Sequence, residues 1–196
     1  MNAICLLRDH GQIHLSQKTP ESRVLLHFDL HGFSPRSTHA IHIHEYGDLR
    51  QGCASLGGHF NPTHSVHGNL RHPHCRHAGD LMNNFVTDKN GAFVKTLSFS
   101  ELSLYPQSSL CILGRSIVIH QHPDDQGQQQ TWKQKRPYST LTSEELRTLV
   151  QQLGYLSRWT RPPSTTQMIA MLNQESLKTG NAGQRLDCGI IAVSKN

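Results

Sequence analysis

No stretch of the sequence approaches the ~20 consecutive apolar residues that a membrane-crossing helix needs, which excludes a helical membrane span. Aromatic residues make up only 6% and charged residues 17%, and helical periodicity is almost missing from most of the chain, which argues against a helical bundle. There is no CxxC pair. The cysteines Cys5, Cys53, Cys75, Cys111 and Cys188 are odd in number and irregular in spacing, which excludes a zinc ribbon or a small disulfide scaffold. One disulfide with free thiols is the most that this set supports. The opening MNAICLLRDHGQ has neither a charged leader nor a small-residue cleavage site, so Sec-type export is not expected and a cytoplasmic location is. The net charge of +5 is also missing from most of the chain: residues 128–172 hold a surplus of four positive charges, and the remainder is nearly neutral. Aromatic and basic residues do not interleave across the main body, so neither nucleic acid nor a membrane surface is an expected partner.

What is abundant is histidine. Fifteen imidazoles outnumber the 14 Asp and Glu residues, which invites a metal hypothesis before any motif is read. A length of 196 residues suits a single domain. Residues 23–30 alternate, with Val24, Leu26, Phe28 and Leu30 on one face and Leu25, His27 and Asp29 on the other, as a half-buried strand requires. Similar short runs fall at residues 3–7, 13–16, 38–44, 92–97, 116–120 and 190–194, separated by Gly, Asn and Asp turn signals. The expected fold class is therefore all-β, an antiparallel sandwich or barrel.

Two stretches do not fit strands. Residues 47–80 are rich in Gly, His, Asn and Pro, and a loop of that length needs metal or disulfide bonds to order it. Residues 128–172 open on a glutamine run and then read as a helical insert: Thr142-Ser143-Glu144-Glu145 has the form of a capping box, and Leu146, Leu149, Val150, Leu153 and Leu156 follow at helical spacing. Pro162-Pro163 ends that helix, and residues 165–172 predict a second short one. The apolar stripe is expected to pack on the barrel or on this second helix.

His42 and His44 end a predicted strand, and the period of two puts both rings on one face as a chelating pair. An H-x-H pair alone is weak evidence. His59, His67, His77 and Asp80 in the long loop and His120 at another strand end strengthen it. Three imidazoles with one carboxylate suit a closed zinc site. The other imidazoles, nitrogen donors without thiolates, suit a tetragonal Cu(II), and one deprotonated ring can bridge the two ions.

The segments HIHEYGD at 42–48, GHFNP at 58–62, HAGDL at 77–81, GRSIVIH at 114–120, Asp124-Asp125 and GNAGQRLDCG at 180–189 resemble, in order, the copper/zinc superoxide dismutase family. The resemblance covers the chain from about Ala3 to Val193 apart from the insert. It implies an eight-stranded Greek-key β-barrel or sandwich of immunoglobulin-like form, typically a homodimer, as one domain with the helical insert at about 128–172. It further implies that copper is held by His42, His44, His59 and His120, and zinc by His59, His67, His77 and Asp80, with His59 bridging. Asp124 matches the carboxylate that holds one copper-binding and one zinc-binding ring. Cys53 and Cys188 match the disulfide that ties the metal-binding loop to the barrel. Arg185 matches the channel arginine that orients superoxide anion, His59 the ring that takes up and delivers a proton, and Glu175 and Lys178 the charged steering positions. A copper chaperone is a possible partner.

This sequence departs from the family pattern in the His67–His77 spacing, which is one residue longer than the commonest form and leaves His64, His72 and His74 as rival ligands. Cys75 nearby is expected to be a free loop thiol, and Cys5 and Cys111 to be buried. The insert interrupts the loop that walls the substrate channel in the family. The alternatives to an active dismutase are therefore a catalytically weak homologue that sequesters copper, and an interaction protein acting through the insert.

Overall fold

In the strand Val24–Leu30 the alternation in the sequence is met residue by residue: Val24, Leu26, Phe28 and Leu30 are fully buried, while Leu25 and His27 face outward. The computed structural model describes residues 1–70 and 75–195. Its strands are β1 (Asn2–Leu6), β2 (Gly11–Ser16), β3 (Val24–Leu30), β4 (Thr38–His44), β5 (Arg50–Cys53), β6 (Asn84–Val86), β7 (Phe93–Phe99), β8 (Ser116–His120) and β9 (Arg185–Val193). Eight of them form one sheet in the order β6-β4-β8-β9-β1-β2-β3-β7, every pairing antiparallel. The sheet curls into a nearly closed barrel, and the chain crosses between its halves at β3–β4, β6–β7 and β7–β8, the Greek-key pattern. Two strands were not legible as periodic runs. β5 and β6 have only four and three residues, too few for alternation to show. β9 starts at Arg185 rather than near residue 190, because its first half is paired with β8 by register and not by apolar pattern.

β1, β2 and β3 have one dry face and one wetter face and β7 is largely exposed, whereas β4 and β8 are covered on both faces where they pair. Ile41 and Ile43 of β4 and Ile117 and Ile119 of β8 enter the core. The opposite faces, carrying His42, His44, Val118 and His120, are buried under the loops that follow β4 and β8. Histidines on this face are thus withdrawn from water by loops rather than by the core. A register shift at Ile119/His120 bends β8 against β9 there, and such bulges re-aim a side chain.

Two helices lie between β8 and β9, α1 (Ser143–Gln152) and α2 (Thr165–Thr179). Thr142 and Glu145 form the expected reciprocal cap, and Ser164 with Gln167 forms a second one. Leu146, Val150 and Leu153, with Leu149 partly buried beside them, pack with Met168 and Leu172 of α2 and with Tyr138 and Tyr155, whereas Leu156, expected in the same stripe, lies past the end of α1 and is exposed. α2 continues seven residues past the expected end at Leu172. Neither Gly nor Pro interrupts residues 173–179, and Glu175 and Ser176 are buried on Arg158 and Asp125 before Gly180 closes the helix in a left-handed conformation (φ 66°).

Cys5 is buried, and burial pushes its thiol up to about 12. Cys75 is exposed. Cys111, expected in the core, is only half-buried, since it lies in a turn closed by its N–H to the Ser108 carbonyl (3.0 Å). Gly189 marks the closest approach of β9 to β1: a Cβ there would lie 2.1 Å from the Leu6 carbonyl oxygen and 2.8 Å from the Cys5 sulfur. Gly189→Ala is therefore expected to lower stability by about 1–3 kcal/mol, read from urea unfolding of the metal-free protein. An unchanged midpoint would contradict this contact.

Candidate metal centre

Strand β4 presents His42 and His44 on its outer face, and the loop after β5 doubles back beside them. Phe60 N–H donates to the Ile43 carbonyl (2.8 Å) and Glu45 N–H to the Gly58 carbonyl (2.9 Å), which sets His59 against the end of β4. The His42 and His59 ring centroids are 4.0 Å apart. His120 arrives from the end of β8, opposite the extra residue Leu186 in β9, its Nε2 3.4 Å from His44 Nε2. The four side chains are buried and offer ring nitrogens that all lie within 4.8 Å of one another.

A second group of donors lies on the other side of His59. Asp80 ends a short turn, Ala78–Asp80, and its Oδ2 accepts the His77 N–H (2.9 Å). Its Oδ1 faces three ring nitrogens, Nδ1 of His59 (2.9 Å), of His67 (3.0 Å) and of His77 (3.1 Å). Donor atoms around a tetrahedral zinc with bonds of about 2.0–2.1 Å stand roughly 3.3 Å apart, so this spacing is of the right size. His59 belongs to both groups and shows a different nitrogen to each.

Each outer contact fixes which nitrogen is left as a donor. His44 Nδ1 bonds the Gly57 carbonyl (3.0 Å) and His120 Nδ1 the Gly183 carbonyl (3.2 Å), leaving Nε2 of both rings for the first group. His42 Nε2 and His67 Nε2 donate to the two oxygens of Asp124, at 2.7 and 2.9 Å, leaving Nδ1 of each ring. His42 Nδ1 and His59 Nε2 are buried without a hydrogen-bond partner, a costly state for a polar atom unless it serves another bond. The donors therefore fit two ions: four imidazoles for copper, and three imidazoles with a carboxylate for zinc.

The electrostatics divide in the same way. Burial, reinforced by neighbouring imidazoles, holds His44 and His120 well below the usual histidine range and His59 at about 3, so these rings are neutral at pH 7. For His67 burial also opposes charge, but Asp124 and Asp80 on either side outweigh it and raise the ring to about 10. Despite their burial, both carboxylates are held far below the ordinary range by His67 and the other rings that they bond.

Cys53 and Cys188 are disulfide-bonded, and with Leu56 and Val118 they form a small apolar cluster beside the first group. Arg185, paired in register with His120, is half-buried and donates to the carbonyls of Cys53 and Gly57. Its guanidinium is thus held on the disulfide loop, on the same carbonyl that orients His44. Glu175 is buried against Arg158 of the insert (2.9 Å), whereas Lys178 is exposed in the last turn of α2. His64, a rival in register, is exposed and outside both groups. His72 and His74 lie outside the described residues.

Several contributors were not legible in the sequence. Asn83 Nδ2 donates to Asp124 Oδ2 (3.1 Å), and Asn84 pairs with the Asp124 backbone in both directions (2.7 and 2.9 Å). Gly180 leaves no room at this point, since a Cβ would lie 1.9 Å from Asp124 Oδ1. An Asn-Asn pair at the start of a three-residue strand carries no periodic signal. Only contact with Asp124 distinguishes it.

Comparison with known proteins agrees with this geometry. The pattern described as copper/zinc superoxide dismutase (SODC) matches residues 9–140. Superoxide dismutase (Cu-Zn) 5 of Dictyostelium discoideum is 31% identical over 198 aligned residues, covering 100% of this chain and 99% of its own. A Cu-Zn superoxide dismutase of Schizosaccharomyces pombe is 33% identical, with 99% of each chain covered. Among solved structures, that of the clock protein EA4 superposes with a TM-score of 0.67 at 28% identity, covering 98% of this chain and 94% of that one. The chain belongs to the copper/zinc superoxide dismutase family.

Proposed function

We propose that the protein is a superoxide dismutase that turns two superoxide anions and two protons into O2 and H2O2. One copper is held by His42, His44, His59 and His120, and one zinc by His59, His67, His77 and Asp80. The observation that carries this reading is the pair of complete buried donor sets joined through one imidazole, in a chain of this family. Copper there supplies the one-electron chemistry, alternating between Cu(II) and Cu(I), while zinc is structural. The complete donor sets favour an enzyme over a weak copper-sequestering homologue, which has no need of a redox site.

The chain's own residues then have distinct tasks. Arg185, held by the Cys53 and Gly57 carbonyls, directs its guanidinium charge at the incoming anion and orients it. His59 Nε2, buried and otherwise unpartnered, is the nitrogen that would serve copper and that, when free of it, would hold a proton for the departing peroxide. Asp124 fixes the rings of His42 and His67 so that neither has to reorganise during turnover. Lys178 contributes to the positive field that draws superoxide in, and Glu175 opposes it less because Arg158 balances its charge. The chain acts as one domain in which residues 128–172 are an insert. Its family resemblance supports a homodimer, a cytoplasmic location and copper delivery by a chaperone. No helix among the described residues is long and apolar enough to cross a membrane.

Pulse radiolysis of the copper- and zinc-loaded protein is expected to show fast superoxide decay that slows as salt is raised. Full metal content without accelerated decay would refute the enzymatic reading. His120→Ala should lose copper and activity together. Arg185→Ile should keep copper, slow turnover and flatten the salt dependence, as measured by metal content and decay rate.

Zinc uptake provides an independent check. His67 is an imidazolium up to about 10, so zinc must displace its Nδ1 proton. Loading the metal-free protein at pH 8 is expected to release close to one proton per zinc from this ring. Apparent affinity should rise about tenfold per pH unit toward that value. Indicator absorbance in weak buffer would measure the release.

A further inference from the structure

Asp125 is 2% exposed, and its carboxylate gathers groups from three parts of the chain. Tyr138 Oη donates to Oδ2 at 2.5 Å and Asn181 Nδ2 to the same oxygen at 3.1 Å. Ser176 Oγ of α2 donates to Oδ1 at 2.8 Å, and the Gly127 N–H donates there at 3.0 Å. Asn181 Nδ2 also reaches Tyr138 Oη (3.0 Å) and the Leu172 carbonyl (2.8 Å), so the knot is closed on itself. Asp125 N–H donates to the Gly180 carbonyl (2.7 Å), and Gly180 in turn lies against Asp124.

Two adjacent buried carboxylates thus look in different directions. Asp124 holds His42 and His67, one ring of each donor group, while Asp125 holds the insert. A single planar peptide unit joins them, leaving few degrees of freedom between the two anchors. Tyr138 is the insert's contribution to the knot. Its ring lies in the apolar cluster of α1 and α2, and its hydroxyl leaves that cluster for Asp125. Without the hydroxyl, Oδ2 would keep only the longer bond from Asn181, and a buried carboxylate short of donors moves to find others.

We infer that Tyr138 is a positioning residue for the metal pair: by fixing Asp125 it fixes Asp124, so the insert sets how firmly the His42 and His67 rings are held. This rests on the copper and zinc sites proposed above. The insert is then a buttress for the metal centre, and its helices exist to deliver one hydroxyl to a defined point. Glue alone would not require that point to be the neighbour of Asp124.

The test uses the copper- and zinc-loaded protein and its Tyr138→Phe variant, which keeps the apolar ring. Tyr155→Phe is the control, since Tyr155 is buried in the same cluster and its hydroxyl bonds Thr179 of α2 rather than Asp125. Two quantities are read: the rate of zinc transfer to excess 4-(2-pyridylazo)resorcinol, and the hyperfine pattern of the Cu(II) electron paramagnetic resonance spectrum. Tyr138→Phe is expected to lose zinc about tenfold faster, the low end of what loss of an outer partner costs, with a changed copper spectrum. Tyr155→Phe should retain the wild-type spectrum and a near-wild-type rate even if both variants melt earlier. Equal rates and identical spectra for the two variants would overturn the inference. Should Tyr138→Phe fail to fold, Asp125→Asn takes its place under the same criteria. If the wild-type protein failed to hold both metals, the site assignment itself would fall, and the inference with it.

Discussion

The metal centre depends on one buried carboxylate. Asp124 is fully withdrawn from water, and an anion in that position is tolerated only if donors surround it. His42 and His67 supply two, Asn83 a third and the Gln126 N–H a fourth. Satisfying Asp124 therefore draws a strand residue, a loop residue and an asparagine to one point. The Gly57 and Gly183 carbonyls do the same for His44 and His120 from the other side, so the rings are oriented by contacts that do not involve a metal.

The barrel makes this possible by an uneven division of labour. Four strands keep a wet outer face and contribute stability, whereas β4 and β8 give up theirs to two long loops. Loops that cover a strand face must satisfy their own backbone, and here they do so partly against the histidines that they bury. The disulfide, the turn ending at Asp80 and the capped end of α2 each hold such a loop in place. Chemistry and loop order are consequently the same set of bonds.

Much of this was legible in the sequence because strands and ligands both leave periodic or motif signals. The alternation at Val24–Leu30 and the capping box at Thr142 each correspond to a local physical requirement, and each is met; the H-x-H at the end of β4 places both rings on one buried face. β5 and β6 were invisible because three or four residues cannot display a period. The extent of α2 was not legible because its final two turns are held by Glu175 and Ser176, polar residues that pack only because Arg158 and Asp125 supply their partners. Asn83, Asn84 and Asp125 belong to the same class: their importance comes from what they touch across long stretches of chain.

The continuity of α2 also constrains how this protein can vary. The helix runs unbroken from Thr165 to its cap at Gly180, straight through Leu172, the expected end of the insert. Each residue added or removed upstream within the helix would turn the remainder by about 100°, carrying Ser176 away from Asp125 and Glu175 away from Arg158. Length changes in the insert are therefore confined to the segments outside the helices or to steps that restore the helical phase. The two ends of α2 are a single rotational unit, and neither can drift in length without the other.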